Sequence, residues 1–124
     1  MNAALFHFPK PVATFLKGFT MGGGVGVACH GSHRIVGDTS RISMPECAVG
    51  LIPDVGGTLL LSRAPGQLGE YLGSTGHRMG AGDAILAGFA DYYLPEADWP
   101  AMIETLQQTG DVAAIDAAAR PAPA

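Results

Sequence analysis

The sequence predicts an α/β fold. Short runs of β-branched and aromatic residues alternate with stretches of small and aliphatic ones, the pattern of strands followed by helices. Eighteen glycines and nine prolines cut the chain into short elements. Hydrophobic residues make up 48% of the chain and charged residues 15%, against a usual charged share of about 25%. A chain of 124 residues is long enough to bury roughly two-thirds of its unfolded surface. The charge deficit predicts still more burial, against further chain or partner subunits.

Val12 to Leu16 follows Pro11 and reads as a buried strand. Gly18 to Met21 leaves that strand, and Gly22-Gly23-Gly24 makes a tight turn. Val25 to His30 predicts a short helix ending near Gly31, with side chains small enough to sit close against a sheet. His33 to Val36 is a second strand, stopped at Gly37-Asp38. Arg41 to Met44 is a third, broken by Pro45. Gly50 to Asp54 is an ordered loop. Helices are predicted over Gly57 to Arg63 and Leu68 to Ser74, the second ended by Gly76. A helical turn runs through Leu86, and Asp91 to Leu94 returns as a short strand. Pro100 to Gln108 is amphipathic and ends at Gly110. Asp111 can cap a last alanine-rich helix, and residues 121–124 read as a frayed tail. The organisation expected is a core over residues 1–94 and a helical tail over residues 95–124.

Several function classes find no support. Net charge is -4, and the seven basic residues are dispersed, so a nucleic-acid partner is not expected. The longest weakly polar run, Gly18 to Cys29, is too short and glycine-rich to cross a bilayer. No secretory signal is visible, and the cytoplasm is the expected location. Cys29 and Cys47 both lie in apolar runs and read as reduced, buried thiols. His30 and His33 straddle a helix end with no Cys or acid to complete a ligand set. They read as structural residues, and no metal is expected. Ser43 and Ser62 have no triad context, and the aromatic and Met residues are most simply core. The G-x-G-x-x-G pattern begun at Gly24 fails at Cys29.

What remains is a glycine turn followed by two lone carboxylates. Between Ile42 and Ser62 the only charged residues are Glu46 and Asp54, with no Lys or Arg to pair either one. An unpaired carboxylate in apolar surroundings costs free energy, which marks candidate active sites. Removal from water makes Glu46 a tunable acid, base or nucleophile; the alternative is a plain turn carboxylate. Asp54 is either a second functional acid or the cap of the helix that follows Gly56-Gly57. The backbone N–H of Gly23, at a helix start, either donates to an oxyanion or merely belongs to a tight turn.

The segment from Lys10 to Ala13, with Gly18 to Gly26, resembles the crotonase, or enoyl-CoA hydratase/isomerase, superfamily. The run Met44 to Gly57 is most similar to its 3-hydroxyisobutyryl-CoA hydrolase branch, and the likeness continues through Thr75 to Arg78 and Ala87-Gly88 to about Leu94. The resemblance implies a crotonase-type ββα spiral, here lacking its N-terminal strands. It implies hydrolysis of an acyl-CoA thioester, 3-hydroxyisobutyryl-CoA in valine breakdown, with a mitochondrial-matrix location in a eukaryote. Glu46 then attacks the thioester or activates water, Asp54 positions the substrate hydroxyl or the water, and Gly23 supplies one oxyanion N–H. Gly22, Gly23, Gly24, Glu46 and Asp54 line the substrate. Coenzyme A is part of that substrate, and no separate cofactor is implied. The hydratase branch carries a second glutamate where this chain has Gly26. An enoyl-CoA hydratase or isomerase and a non-catalytic assembly subunit stand as alternatives. The family's early strands and second oxyanion donor have no counterpart in Met1 to Pro9, so the chain is expected to be a fragment. Its expected partners are a homo-oligomer or a complementing chain.

Overall fold

The computed structural model describes residues 1–123. Two small parallel sheets form its centre. Strands β1 (Ala13–Leu16), β3 (His33–Val36) and β5 (Tyr92–Tyr93) lie in the order β1-β3-β5, with Phe15 opposite Ile35 and Ile35 opposite Tyr92. Strands β2 (Phe19–Met21) and β4 (Arg41–Ser43) form the second sheet, Thr20 opposite Ile42. The order strand, strand, helix occurs twice. First β1 and β2 lead into α2 (Gly23–Ala28); then β3 and β4 lead through a 3₁₀ turn (Glu46–Val49) into α3 (Gly57–Arg63). This is the ββα progression implied by the resemblance. Helices α4 (Leu68–Thr75) and α5 (Ala81–Leu86) precede β5, and α6 (Trp99–Thr109) and α7 (Ala113–Ala118) close the chain.

Two apolar clusters hold these layers. The larger joins Leu16, Val25, Val36, Ile42, Met44 and Met79 around the fully buried Phe89. The smaller joins Ile35 on β3 to Leu94, Trp99, Met102 and Ile115, so α6 and α7 dock on the outer sheet. Trp99 also donates its indole N–H to the Leu94 carbonyl at 2.9 Å. Val112, not Asp111, occupies the N-cap position of α7, while the Asp111 Oδ1 accepts from the Ala113 N–H at 3.0 Å just ahead of it.

Some elements differ from the sequence expectation. Residues 1–9 contain a short helix, α1 (Asn2–Phe6), built from good helix formers and ended before Pro9. Phe19–Met21 is a strand because Thr20 is buried and pairs with Ile42, a tertiary contact that no local pattern announces. The tail described through residue 123 is docked rather than frayed. Arg120 N–H donates to the Tyr93 carbonyl at 3.0 Å, and Ala122 packs on the larger cluster; Ala124, in the same expected tail, lies outside the described residues. Not every aromatic is core: Phe6, Phe8, Phe19 and Tyr71 are exposed, two of them under Arg63 and Arg78 guanidinium groups.

Arg34 on β3 ties the core to the turn before β5. Its guanidinium meets Asp91 through two hydrogen bonds, at 2.9 and 2.7 Å, and also reaches the Cys29 and Gly88 carbonyls. Burial works to raise the Asp91 pKa, but the Arg34 hydrogen bonds and charge hold it below the usual carboxylate range. Such a pair stabilises the fold above the unfolded carboxylate value of about 3.9. The contribution is lost as pH falls through the lower native value. The two side chains are 14% and 31% exposed. Asp91→Asn is therefore expected to cost about 1–3 kcal/mol near neutral pH, below the 3–5 of a fully buried pair. Denaturant unfolding should show the difference from wild type shrinking in acid, and a pH-independent difference would refute the electrostatic account.

Candidate active site

Gly22 makes the turn into α2 at φ 49 and ψ −115, a conformation open essentially to glycine. That turn leads directly into the first turn of α2. The first bond into the helix from its start is Gly26 N–H to the Gly22 carbonyl at 3.2 Å, so the N–H groups of Gly23, Gly24 and Val25 have no carbonyl within the helix. Gly23 and Gly24 are exposed, and a Cβ on Gly23 would meet no atom within 4 Å. Space for a side chain at Gly23 is therefore open.

Glu46 comes to the same turn. It opens the 3₁₀ turn after Pro45 rather than ending a strand, because β4 stops at Ser43. Its Oε1 lies 3.6 Å from where a Gly22 Cβ would stand. Its Oε2 is buried with no hydrogen-bond partner. A carboxylate oxygen held out of water and unpaired opposes stability, and here it belongs to a side chain whose other oxygen stands against the Gly22 turn. The structure thus brings together Gly22, Gly23 and Glu46, which are 23 residues apart between the last two.

Asp54 stands on the loop between the 3₁₀ turn and α3. Its carboxylate is exposed and makes no hydrogen bond or ion pair among the described residues, and none joins it to Glu46. Gly56, not Asp54, occupies the N-cap position of α3, without a side-chain cap bond. The capping alternative for Asp54 is therefore not what the structure has. Asp54 contributes its carbonyl, which accepts from Gly57 N–H at 2.7 Å.

The residue after Asp54 decides what chemistry fits. Val55 packs its side chain directly over Gly26: a Cβ at position 26 would lie 2.6 Å from the Val55 Cβ. No side chain of any kind enters there without displacing Val55. Gly26→Glu is expected to destabilise the fold by about 1–3 kcal/mol through overpacking and to gain no hydration of a 2-enoyl-CoA. Unfolding midpoints and a hydration assay check both halves, and a stable variant with new hydratase turnover would refute the packing argument.

Cys47 is exposed rather than buried, because it lines an open cleft of about 350 Å³ with Pro53, Leu61 and Gly73. Cys29 is buried as expected, and burial pushes its thiol up to about 12, which keeps it unreactive. The sequence also gave no reason to single out Val49, Leu51 and Ile52. They flank the two acids and are 72%, 63% and 80% exposed. Their only signal was an apolar run with neither helix nor strand period. His33 is structural: its Nδ1 lies 2.8 Å from Ser32 Oγ and its ring stacks on Tyr92. No helix among the described residues is long and apolar enough to cross a membrane.

Comparison with known proteins adds an independent line. The family described as enoyl-CoA hydratase/isomerase matches residues 1–122. The chain is similar to the mitochondrial 3-hydroxyisobutyryl-CoA hydrolase of Xenopus tropicalis, 41% identical over 106 residues, which is 86% of this chain and 28% of the relative. Among solved structures it is similar to an enoyl-CoA hydratase from Rhodobacter sphaeroides 2.4.1, with 60% identity and a TM-score of 0.88 over 99% of this chain and 34% of that one. A carnitinyl-CoA dehydratase from Mycobacterium thermoresistibile shows 46% identity and a TM-score of 0.94 over 99% and 36%. The chain thus spans about a third or less of the length of these proteins.

Proposed function

The chain belongs to the enoyl-CoA hydratase/isomerase family, and from that premise we propose that it carries the carboxylate face of an acyl-CoA thioester hydrolase acting on 3-hydroxyisobutyryl-CoA. The observation that carries the reading is Glu46, with a buried, unpartnered Oε2 beside the Gly22 turn. The thioester carbonyl is placed in the open space before Gly23, whose N–H donates to the oxyanion as it forms. Glu46 then acts in one of two ways. As nucleophile it adds to the carbonyl, expels CoA and leaves an anhydride that water cleaves. As base it takes a proton from water, which adds directly. In both, the C–S bond breaks and a proton ends on the CoA sulfur; in the second route water forms the new C–O bond at the acyl carbon, and in the first Glu46 forms it and water then opens the anhydride at one of its two carbonyls. Asp54 orients the substrate hydroxyl or the water. The reading needs no metal and no cofactor, since coenzyme A is part of the substrate. The compartment that goes with it is the cytoplasm or, in a eukaryote, the mitochondrial matrix.

Gly26, roofed by Val55, supports hydrolysis over addition of water to a double bond, which needs a second carboxylate at that place. The hydratase and dehydratase names of the solved relatives favour a second reading, hydration of an enoyl-CoA. The experiment uses the chain alone and in place of the matching segment of a whole hydrolase relative. Thiol release from 3-hydroxyisobutyryl-CoA and hydration of a 2-enoyl-CoA are measured side by side. Thiol release is the expected result in the hybrid, with no useful rate from the chain alone. Hydration without thiol release would favour the second reading, and neither reaction in either setting would favour a non-catalytic assembly role. A single turnover in ¹⁸O-labelled water tests for the nucleophilic route: label in Glu46 shows an anhydride cleaved at the Glu46 carbonyl, an intermediate that the general-base route never forms.

A further inference from the structure

His30 is a buried polar residue that the chemistry above leaves unused. Its side chain is 5% exposed, and its Nε2 lies 2.9 Å from the Val55 carbonyl oxygen. A carbonyl only accepts, so Nε2 carries the proton and donates. That leaves Nδ1 a bare acceptor, and it is buried without a partner. An apolar residue at this place would avoid that cost, so the ring is doing something a leucine cannot.

What it grips is the one strained turn next to the site. Val55 has φ +52 and is the only non-glycine residue with positive φ among those described, a region a β-branched residue enters only under constraint. Gly56 follows at φ +76, and the His30 ring fills the place where a Cβ on Gly56 would stand. The Val55 side chain is wedged over Gly26 on the other side. The turn is therefore clamped between the imidazole and the floor of α2. Asp54 directly precedes it and has no side-chain partner among the described residues, so only its backbone fixes its carboxylate.

We propose that His30 is a positioning residue: through Nε2 it holds the Val55 carbonyl, and through that strained turn it holds the backbone that presents Asp54 to the substrate. The proposal rests on the reading of Asp54 as part of the hydrolytic site.

The test uses three variants at one position. His30→Leu fills the volume without a donor, His30→Gln places an amide N–H near the Nε2 position, and His30→Asn carries an amide too short to reach. In the chain itself, amide hydrogen exchange should quicken at residues 55–57 in the leucine and asparagine variants. It should stay near wild type in the glutamine variant, with the β-strands unchanged in all three. Within the hydrolase host described above, His30→Leu should lower kcat by about 10²-fold with little change in KM, and His30→Gln should recover most of it. In an Asp54→Asn background the same His30→Leu change should cost little more, since its route to the chemistry is already cut. If the leucine variant does not fold, the glutamine–asparagine contrast carries both readings. Unchanged exchange at residues 55–57, or a loss that is undiminished in the Asp54→Asn background, would overturn the role of His30 alone. Full activity in Asp54→Asn by itself would instead overturn the reading of Asp54, and the His30 proposal with it.

Discussion

Glu46→Gln, placed in the hydrolase host, is expected to lower kcat for thioester hydrolysis by about 10³-fold or more while acyl-CoA binding is retained. The amide keeps the shape of the side chain but can neither attack a carbonyl nor take a proton from water, losses worth about 10²–10⁴-fold for a general base alone. The structure adds a second, opposite expectation for stability. Glu46 Oε2 has no hydrogen bond to lose, and a neutral amide is cheaper to bury than a carboxylate. The variant should therefore unfold at the same temperature as the wild type or a higher one. Activity lost with stability kept or gained is the signature of a group held for chemistry rather than for the fold. Titrating the variant with a non-hydrolysable thioester analogue, alongside thermal unfolding, checks both. A variant that keeps about a tenth of wild-type kcat would remove Glu46 from the mechanism.

Gly23→Val should cost about 10²–10³-fold in kcat, the range for one oxyanion donor, with the fold intact. The separation is clean because the site for a Cβ at Gly23 is empty to 4 Å and valine in a helix's first turn costs well under about 1 kcal/mol. The new side chain occupies the space assigned to the thioester carbonyl and moves the oxygen away from the N–H. Circular dichroism and unfolding should match wild type. Wild-type turnover would place the oxyanion donor elsewhere, and loss of the fold would show that the space before Gly23 is filled by the protein itself.

Much of the candidate site was legible in the sequence because the features that mark it are local. Glu46 and Asp54 stood out as the only charges between Ile42 and Ser62, and no cation lay near to explain them. The triple glycine marked a turn that side chains would block. The strands β1, β3 and β4 were legible from their apolar runs. Strand β2 was not, since three residues carry too little pattern and its strand character comes from pairing with β4. The exposure of Cys47 was also out of reach, because the run around it is apolar apart from Glu46 and the thiol's place at the cleft between α3 and α4 is set by the fold. His30 read as a structural residue, but nothing local said that its ring would reach the Val55 carbonyl.

Residue type and spacing along the chain were enough for the α/β class, the order of most elements and the choice of acids and glycines proposed for the site. These follow from residue type and short-range spacing: glycine for backbone freedom, lone carboxylates against apolar surroundings, small side chains where a helix meets a sheet. The tertiary structure alone decided how they are used. It set Glu46 beside the Gly22 turn with one oxygen unpaired, filled the space above Gly26 with Val55, and left the Asp54 carboxylate free while its backbone is clamped through His30. The physical reason is that burial, steric exclusion and hydrogen-bond partners between residues some 20 to 30 positions apart arise only when the chain has folded back on itself, and a sequence window contains just one member of each such pair.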